Sequence, residues 1–221
     1  MGFVQLTIRI VTWLMGGFRY TLKISLYSLM LALVIGLIGG IFNKNSKVFI
    51  IRIISKLYIS VIRGTPFLIQ LYIVFFVLPK FGIFLNLMQA AIWTLAFHNG
   101  AYIAEIVRSG IEAIPKEQHD AAISLGMTPF LTMKLIILPQ VIRIIIPPLV
   151  GQTLVLIKDT SITSLIGVFE LTKTGRELTV AARFNPIIVY TYVSVFYFMI
   201  CYPLYIASHK LEKKLKLHYH D

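Results

Sequence analysis

Acidic residues are scarce in this 221-residue chain: Asp and Glu together number 9 against 21 Lys and Arg, a formal net charge of +12. Charged residues of both signs reach only 14% while 57% of the residues are hydrophobic. A soluble domain carries roughly a quarter of its residues charged, so a water-soluble globule is excluded. There is one cysteine, Cys201, set inside an apolar run. It permits no intramolecular disulfide and says nothing about compartment. No Gly-x-x-x-x-Gly-Lys-Ser/Thr loop occurs, and without that phosphate cradle the chain is not expected to hydrolyse ATP alone. The alternation of an outer-membrane barrel is missing. The N-terminus lacks the ordered basic region, apolar core and cleavage site of a signal peptide, so no processing is expected.

What remains is a series of long apolar runs. Five approach the roughly 20 residues that a bilayer core demands of a helix: about 21–42, 57–78, 86–107, 135–157 and 186–208. They predict an all-α integral membrane protein of one domain, residues 1–221, with a half-polar segment at about 115–134. Residues 4–16 place Val4, Ile8, Val11 and Leu14 at helical spacing beside Arg9 and Trp13, the pattern of an interfacial helix leading into the first span. Gly36, Gly39 and Gly40 near the end of that span allow close helix contact.

The basic surplus sits beside the spans: Lys44, Lys47, Arg52 and Lys56 after the first, and Lys210, Lys213, Lys214 and Lys216 in the tail. Lys80 is alone in the second loop. The positive-inside rule therefore puts the C-terminus in the cytoplasm and, with five spans, the N-terminus outside. Lys158, Lys173, Arg176 and Arg183 in 158–185, partly matched by Asp159, Glu170 and Glu177, weigh the other way. That placement accounts for the charge without nucleic acid. His209, His218 and His220 read as solvated groups of the tail.

Proline and glycine punctuate the runs. "RGTP", Arg63 to Pro66, lies a third of the way into the second span, where Pro66 deletes a helical hydrogen bond and Gly64 loosens the turn; a broken helix is predicted. Pro147 and Pro148, followed by Gly151, Gln152 and Thr153, predict a kinked fourth span turned toward protein or a cavity. Between the third and fourth spans, Pro115 suits a helix start, Gly126 a stop, and Thr128 with Pro129 a second start. Helix, sharp bend, helix is the expectation, and Lys116, Glu117, Asp120 and Lys134 keep this unit out of hydrocarbon. Small residues at 121, 122 and 126 would let it seat in another protein's groove or pack on its own spans.

The same unit, "DAAISLGMTPFLTMKLIILP", resembles the docking signature of permease subunits of binding-protein-dependent ABC importers. That signature is Glu-Ala-Ala, three residues, Gly, nine residues, Ile-x-Leu-Pro. Asp120, Ala121, Ala122, Gly126, Ile136, Leu138 and Pro139 reproduce every spacing, with Asp120 standing for Glu. "IRGTPFLIQL", "GAYIAEIVRSGIEAIPKEQ", "LPQVIRIIIPPL" and "LIKDTSITSLIGVFEL" resemble the polar amino acid branch, so the likeness covers about residues 20–215. It implies a MetI-like, type I importer permease with five transmembrane helices and a cytoplasmic coupling helix in a bacterial inner membrane. Implied partners are a pair of ABC ATPase subunits, which would bind ATP and Mg, an extracytoplasmic substrate-binding protein, and a second copy of the permease or a homologue. No cofactor and no catalytic role are implied for this chain.

Ionisable and polar groups inside spans are costly and mark pathway or gate candidates: Arg63, Gly64, Thr65, Pro66, Gln70, His98, Asn99, Tyr102, Glu105, Lys158 and Asp159. Arg63 beside the break would hold a carboxylate, or snorkel to the interface about 12 Å of helix rise from Ser55. Glu105 would meet a substrate ammonium or cationic side chain, or pair with Arg108 three residues on. Lys158 and Asp159 would close an outer gate, line the site or form a plain interfacial ion pair. His98 and Tyr102 share a helix face, and with no second His or Cys cluster a metal site is not expected. A permease for methionine or another small solute, and an ATPase-independent channel or carrier, are the rival readings; the docking signature argues against the second.

Overall fold

A computed structural model describes residues 3–45 and 49–216, all helix and connection with no strand among them. Lys47, His218 and His220 lie outside these residues. The first helix, α1 (Phe3–Asn45), is continuous over 43 residues, about 65 Å at 1.5 Å per residue. The expected interfacial helix is therefore not a separate element. Its apolar face is the anticipated one only in part: Leu14 is fully buried and Val11 packs on the core, but Ile8 is 59% exposed and Ile10, off that face, is fully buried. The buried seam continues through Gly17, Thr21, Ile24, Ser28, Ala32, Gly36 and Gly40 in steps of three and four. Such a seam of small residues against neighbours, with Trp13, Leu26 and Met30 exposed on the other side, is how a helix packs when lipid rather than water bathes its outer face.

Close approach along that seam is compulsory. A Cβ on Gly36 would lie 2.4 Å from Ile103, and one on Gly40 would lie 2.7 Å from the Ala104 carbonyl. Both contacts are with α4 (Leu87–Glu112), the main partner of α1. Asn86 starts α4 with a capping box: its side chain accepts the Gln89 N–H, and the Gln89 side chain accepts the Asn86 N–H.

Helix α2 (Phe49–Arg63) is tied to α1 by the Ser55 hydroxyl donating to the Gly39 carbonyl at 2.9 Å, and to α4 by the Tyr58 hydroxyl donating to Phe97 at 2.6 Å. It ends at the "RGTP" break, and α3 (Phe67–Tyr72), extended by tighter and wider turns to Phe81, leaves at 107°. The predicted broken helix is present.

The half-polar unit comprises α5 (Lys116–Ser124) and α6 (Pro129–Thr132). A π turn at Met133–Ile137 leads into α7 (Leu138–Asp159), which runs through Pro147 and Pro148 without interruption. After a 3-10 segment, Thr160–Ile166, comes α8 (Leu171–Val180), packed against α1 and α9 (Pro186–Lys216). The stretch between the fourth and fifth apolar runs, 158–185, thus contains a packed helix.

Among the described residues, three stretches are long and apolar enough to cross a membrane alone: Gln5–Ile41, Pro129–Ile166 and Pro186–Lys213. The α2–α3 pair qualifies only when its bent halves are taken together. At 26 residues α4 has the length, about 39 Å, but Gln89, His98, Asn99 and Glu105 dilute its apolar character.

Candidate functional site

Pro66 has no N–H, so the Ile62 carbonyl four residues earlier loses its helical donor. The Gln70 side-chain amide supplies it. Its Nε2 donates to the Ile62 carbonyl at 2.8 Å, the Thr65 carbonyl at 3.1 Å and the Thr65 hydroxyl at 2.8 Å. The Thr65 hydroxyl donates to Val61 at 2.8 Å, and the Gly64 N–H donates to Ser60 at 2.9 Å. Every carbonyl from Ser60 to Ile62 is thereby satisfied within the protein. Gln70 Oε1 lies 3.0 Å from His98 Nδ1 on α4. Because the amide nitrogen is committed to three acceptors, the oxygen must accept, and His98 carries its proton on Nδ1. The imidazole lies between Phe67 and Tyr102, with centroids 5.1 and 5.2 Å away.

One turn below, Arg63 closes the same network. Its guanidinium lies 5.5 Å from the Tyr102 ring centroid and 3.5 Å from Glu105. Glu105 is held more firmly by Arg108, whose Nε and Nη2 donate to its two oxygens at 3.0 and 2.6 Å. Arg108 also pairs with Glu112. Of the sequence alternatives for Glu105, the Arg108 pair forms; its carboxylate also lines a cleft. That cleft, about 540 Å³, is lined by Arg52, Lys56, Ile59, Ser60 and Arg63 of α2 and Glu105, Arg108 and Glu112 of α4.

Of the other candidates, Asn99 is buried and its Oδ1 accepts from Gln152 Nε2 on α7 at 2.7 Å. Gln152 was visible in sequence only as one polar residue after the double proline. Lys158 and Asp159 form no ion pair among the described residues, and they end α7 well away in sequence from the break.

At the half-polar unit local chemistry suffices. The Met127 N–H donates to Ala122 at 3.1 Å and the Gly126 N–H to Ile123 at 2.9 Å, the paired bonds of a Schellman stop, with Gly126 at φ +81°. Thr128 caps the second start by accepting the Leu131 N–H at 3.3 Å. Gln140 Nε2 donates to Gln118 Oε1 and so ties α5 to α7. Asp120, Ala121, Gly126, Leu138 and Pro139 are exposed and Ala122 is buried. Leu125 is 84% and Phe130 72% exposed beside the charged residues.

A buried acid escaped the sequence reading. Glu170, treated there as one charge of a loop, is fully buried and caps α8: its oxygens accept from the Thr172 and Lys173 N–H groups at 2.9 and 2.6 Å and from the Tyr197 hydroxyl at 3.0 Å. Burial pushes its carboxyl above the usual range, opposed by those donors. The signal available was its position one residue before an amphipathic run, with Thr172 behind it.

Residues 28–216 match the model of a family described as the binding-protein-dependent transport system inner membrane component. The L-cystine transport system permease protein TcyB of Bacillus subtilis (strain 168) is 36% identical over 202 residues, 91% of this chain and 86% of that protein. The glutamine transport system permease protein GlnP of Escherichia coli (strain K12) is 36% identical, covering 92% and 93% of the two chains. A crystal structure of an amino acid ABC transporter with histidines superposes with a TM-score of 0.87 at 30% identity, over 97% of this chain and 99% of that one. The MetNI methionine ABC transporter in an inward-facing conformation gives 0.75 at 21% identity and shares the fold.

Proposed function

The chain belongs to the family of binding-protein-dependent transport system inner membrane components, and on that premise we propose that it forms the translocation pathway of an ATP-driven importer for a polar amino acid. Its relatives of known name are permease proteins for cystine and glutamine. The reading takes five spans, with the α2–α3 pair as the broken second and α4 as the third. The N-terminus lies outside and the tail in the cytoplasm, the side that the basic residues after α1 favour.

The observation that carries the reading is the α5–α6 unit: a polar, closely turned helix pair with Leu125 and Phe130 exposed, at the end of the molecule that holds Arg52 and Lys56. Asp120, Ala121, Ala122, Gly126, Leu138 and Pro139 would seat it in an ATPase subunit, one per permease copy. ATP and Mg would be held there and not in this chain. A binding protein would deliver the amino acid to the outer face. The pathway would run past Arg63, Gly64, Thr65, Pro66, Gln70, His98, Asn99, Tyr102 and Glu105, with Lys158 and Asp159 toward the outer end. Coupling requires that ATP and substrate each favour one of two arrangements of the spans. Because Gln70 joins the break in α2–α3 to His98 of α4, movement of either helix would be felt by the other.

Reconstituting the chain in liposomes with its ATPase and binding protein tests this. ATP hydrolysis stimulated by one amino acid is expected; hydrolysis indifferent to every amino acid would overturn the proposal.

A further inference from the structure

Helix α8 and the α5–α6 unit lie at opposite ends of the molecule. The Leu171 N–H donates to the Thr21 hydroxyl at 3.1 Å and Thr174 abuts Gly17, whereas α4, shortly before the chain enters α5, abuts Gly40 through Ala104 and Val107. From Gly17 to Gly40 helix α1 rises about 35 Å, more than the roughly 30 Å of a hydrocarbon core. An α5–α6 unit in the cytoplasm therefore puts α8 outside.

That side is the wrong one for cations by the positive-inside rule, yet Arg176 and Arg183 stand there un-neutralised. Glu170 is buried as the cap of α8 and receives the Tyr197 hydroxyl, Glu177 pairs with Lys173 at 3.7 Å, and Asp159 is half-buried at the end of α7. Among the described residues neither arginine side chain has a partner, and both residues are exposed. Arg176 shares the outward face of α8 with Val180 one turn on, which is 74% exposed, and Ile187 at the start of α9 is 77% exposed. Arg183 also holds the turn between these helices at φ +54°, left-handed backbone that glycine or asparagine adopts with less strain. An arginine kept in that conformation, on the side that disfavours its charge, points to a use for its side chain.

We propose that the corner formed by Arg176, Val180, Arg183 and Ile187 is a docking surface for an acidic patch of the substrate-binding protein. The proposal rests on the importer reading, which supplies the orientation; the family's dependence on a binding protein supplies the partner that must reach this end. Two apolar side chains beside unpaired arginines have the composition of an interface, and fixed positive charge both steers an acidic surface to it and sets its register. Lipid phosphate is the rival occupant, and the test separates the two.

The complex of this chain with its ATPase subunits, in phosphatidylcholine nanodiscs, is titrated with its binding protein loaded with the amino acid that stimulates hydrolysis. Raising the salt from about 0.1 to about 1 M, which shortens the screening length from about 10 to about 3 Å, should weaken binding at least about tenfold, or about 1.4 kcal/mol. Arg176→Glu/Arg183→Glu should weaken it as much at the lower salt and lose most of the salt dependence, with unstimulated ATP hydrolysis and melting midpoint unchanged. Arg183→Gly should bind at least about threefold more weakly while melting no lower than the parent, a combination that misfolding cannot produce. Parent binding that ignores salt, or either variant binding within about twofold of the parent, overturns the proposal and leaves the importer reading standing. So does a double variant that differs from the parent only in losing stabilisation by phosphatidylglycerol, which makes the corner a lipid headgroup site. If the complete system shows no amino-acid-stimulated hydrolysis, the importer reading fails and this proposal with it.

Discussion

Two sharp turns of this chain solve the same problem in opposite ways. At Ser124–Thr128 the carbonyls of α5 are closed by the next two N–H groups, and the start of α6 by the adjacent threonine hydroxyl. Everything required lies within about a turn of sequence. At Arg63–Pro66 the missing N–H is replaced by the amide of Gln70, held in turn by His98 of another helix. The first turn is closed by groups inside it; the second, although Arg63 to Pro66 are themselves exposed, draws its donor from the buried Gln70 one turn on. One bend thus becomes a contact between helices, and the other stays local.

The largest test of that contrast is Gln70→Leu. It strips the half-buried Ile62 carbonyl and the more exposed Thr65 carbonyl of their donor at nearly constant volume and should cost about 2 kcal/mol, most of it at Ile62. Thermal unfolding in detergent reads the loss; an unchanged midpoint would mean that the break does not depend on Gln70. Next, Gly126→Val places a β-branched side chain at φ +81°, where left-handed backbone costs about 1–2 kcal/mol. No atom lies within 4 Å of the added Cβ, so the effect should be confined to the α5–α6 bend and appear as faster proteolysis there.

Pro66→Ala sharpens the comparison by restoring the N–H at residue 66. In that background Gln70→Leu should cost about 1 kcal/mol less than in the parent, and strict additivity would show that the two residues do not serve the same carbonyl. The smallest effect is expected of Thr128→Ala, about 0.5–1 kcal/mol for an exposed cap, with no change at the α2–α3 break.

The same contrast explains what the sequence disclosed. Pro115, Gly126, Thr128 and Pro129 act on their own neighbours, so their residue types alone foretold helix, bend and helix. The break at "RGTP" was legible for the same reason. Which residue mends it was not: Gln70 is one turn on, but its choice of acceptors and its bond to His98 depend on how α2, α3 and α4 converge. The lead-in to α1 was read in part: Leu14 lay on the anticipated face but Ile10 did not, and both are claimed by α8 and α9, remote in sequence. Glu170 was hidden likewise, since burial beneath Tyr197 requires the fold. Of Glu105's partners the sequence showed Arg108 by spacing, which the structure forms, whereas Arg63 of α2 appears only once the helices converge.

The central claim is that the α5–α6 unit is where an ATPase grips this protein. Its most direct test is co-purification of the ATPase subunits with the parent chain and with Gly126→Asp. Aspartate tolerates left-handed backbone better than most residues, so the bend should survive while a charge is placed on the docking face. The account predicts that the parent retains the ATPase and that the variant, equally folded by its melting curve, loses it. A parent chain that retains no ATPase, or a variant that retains it in full, would contradict the account.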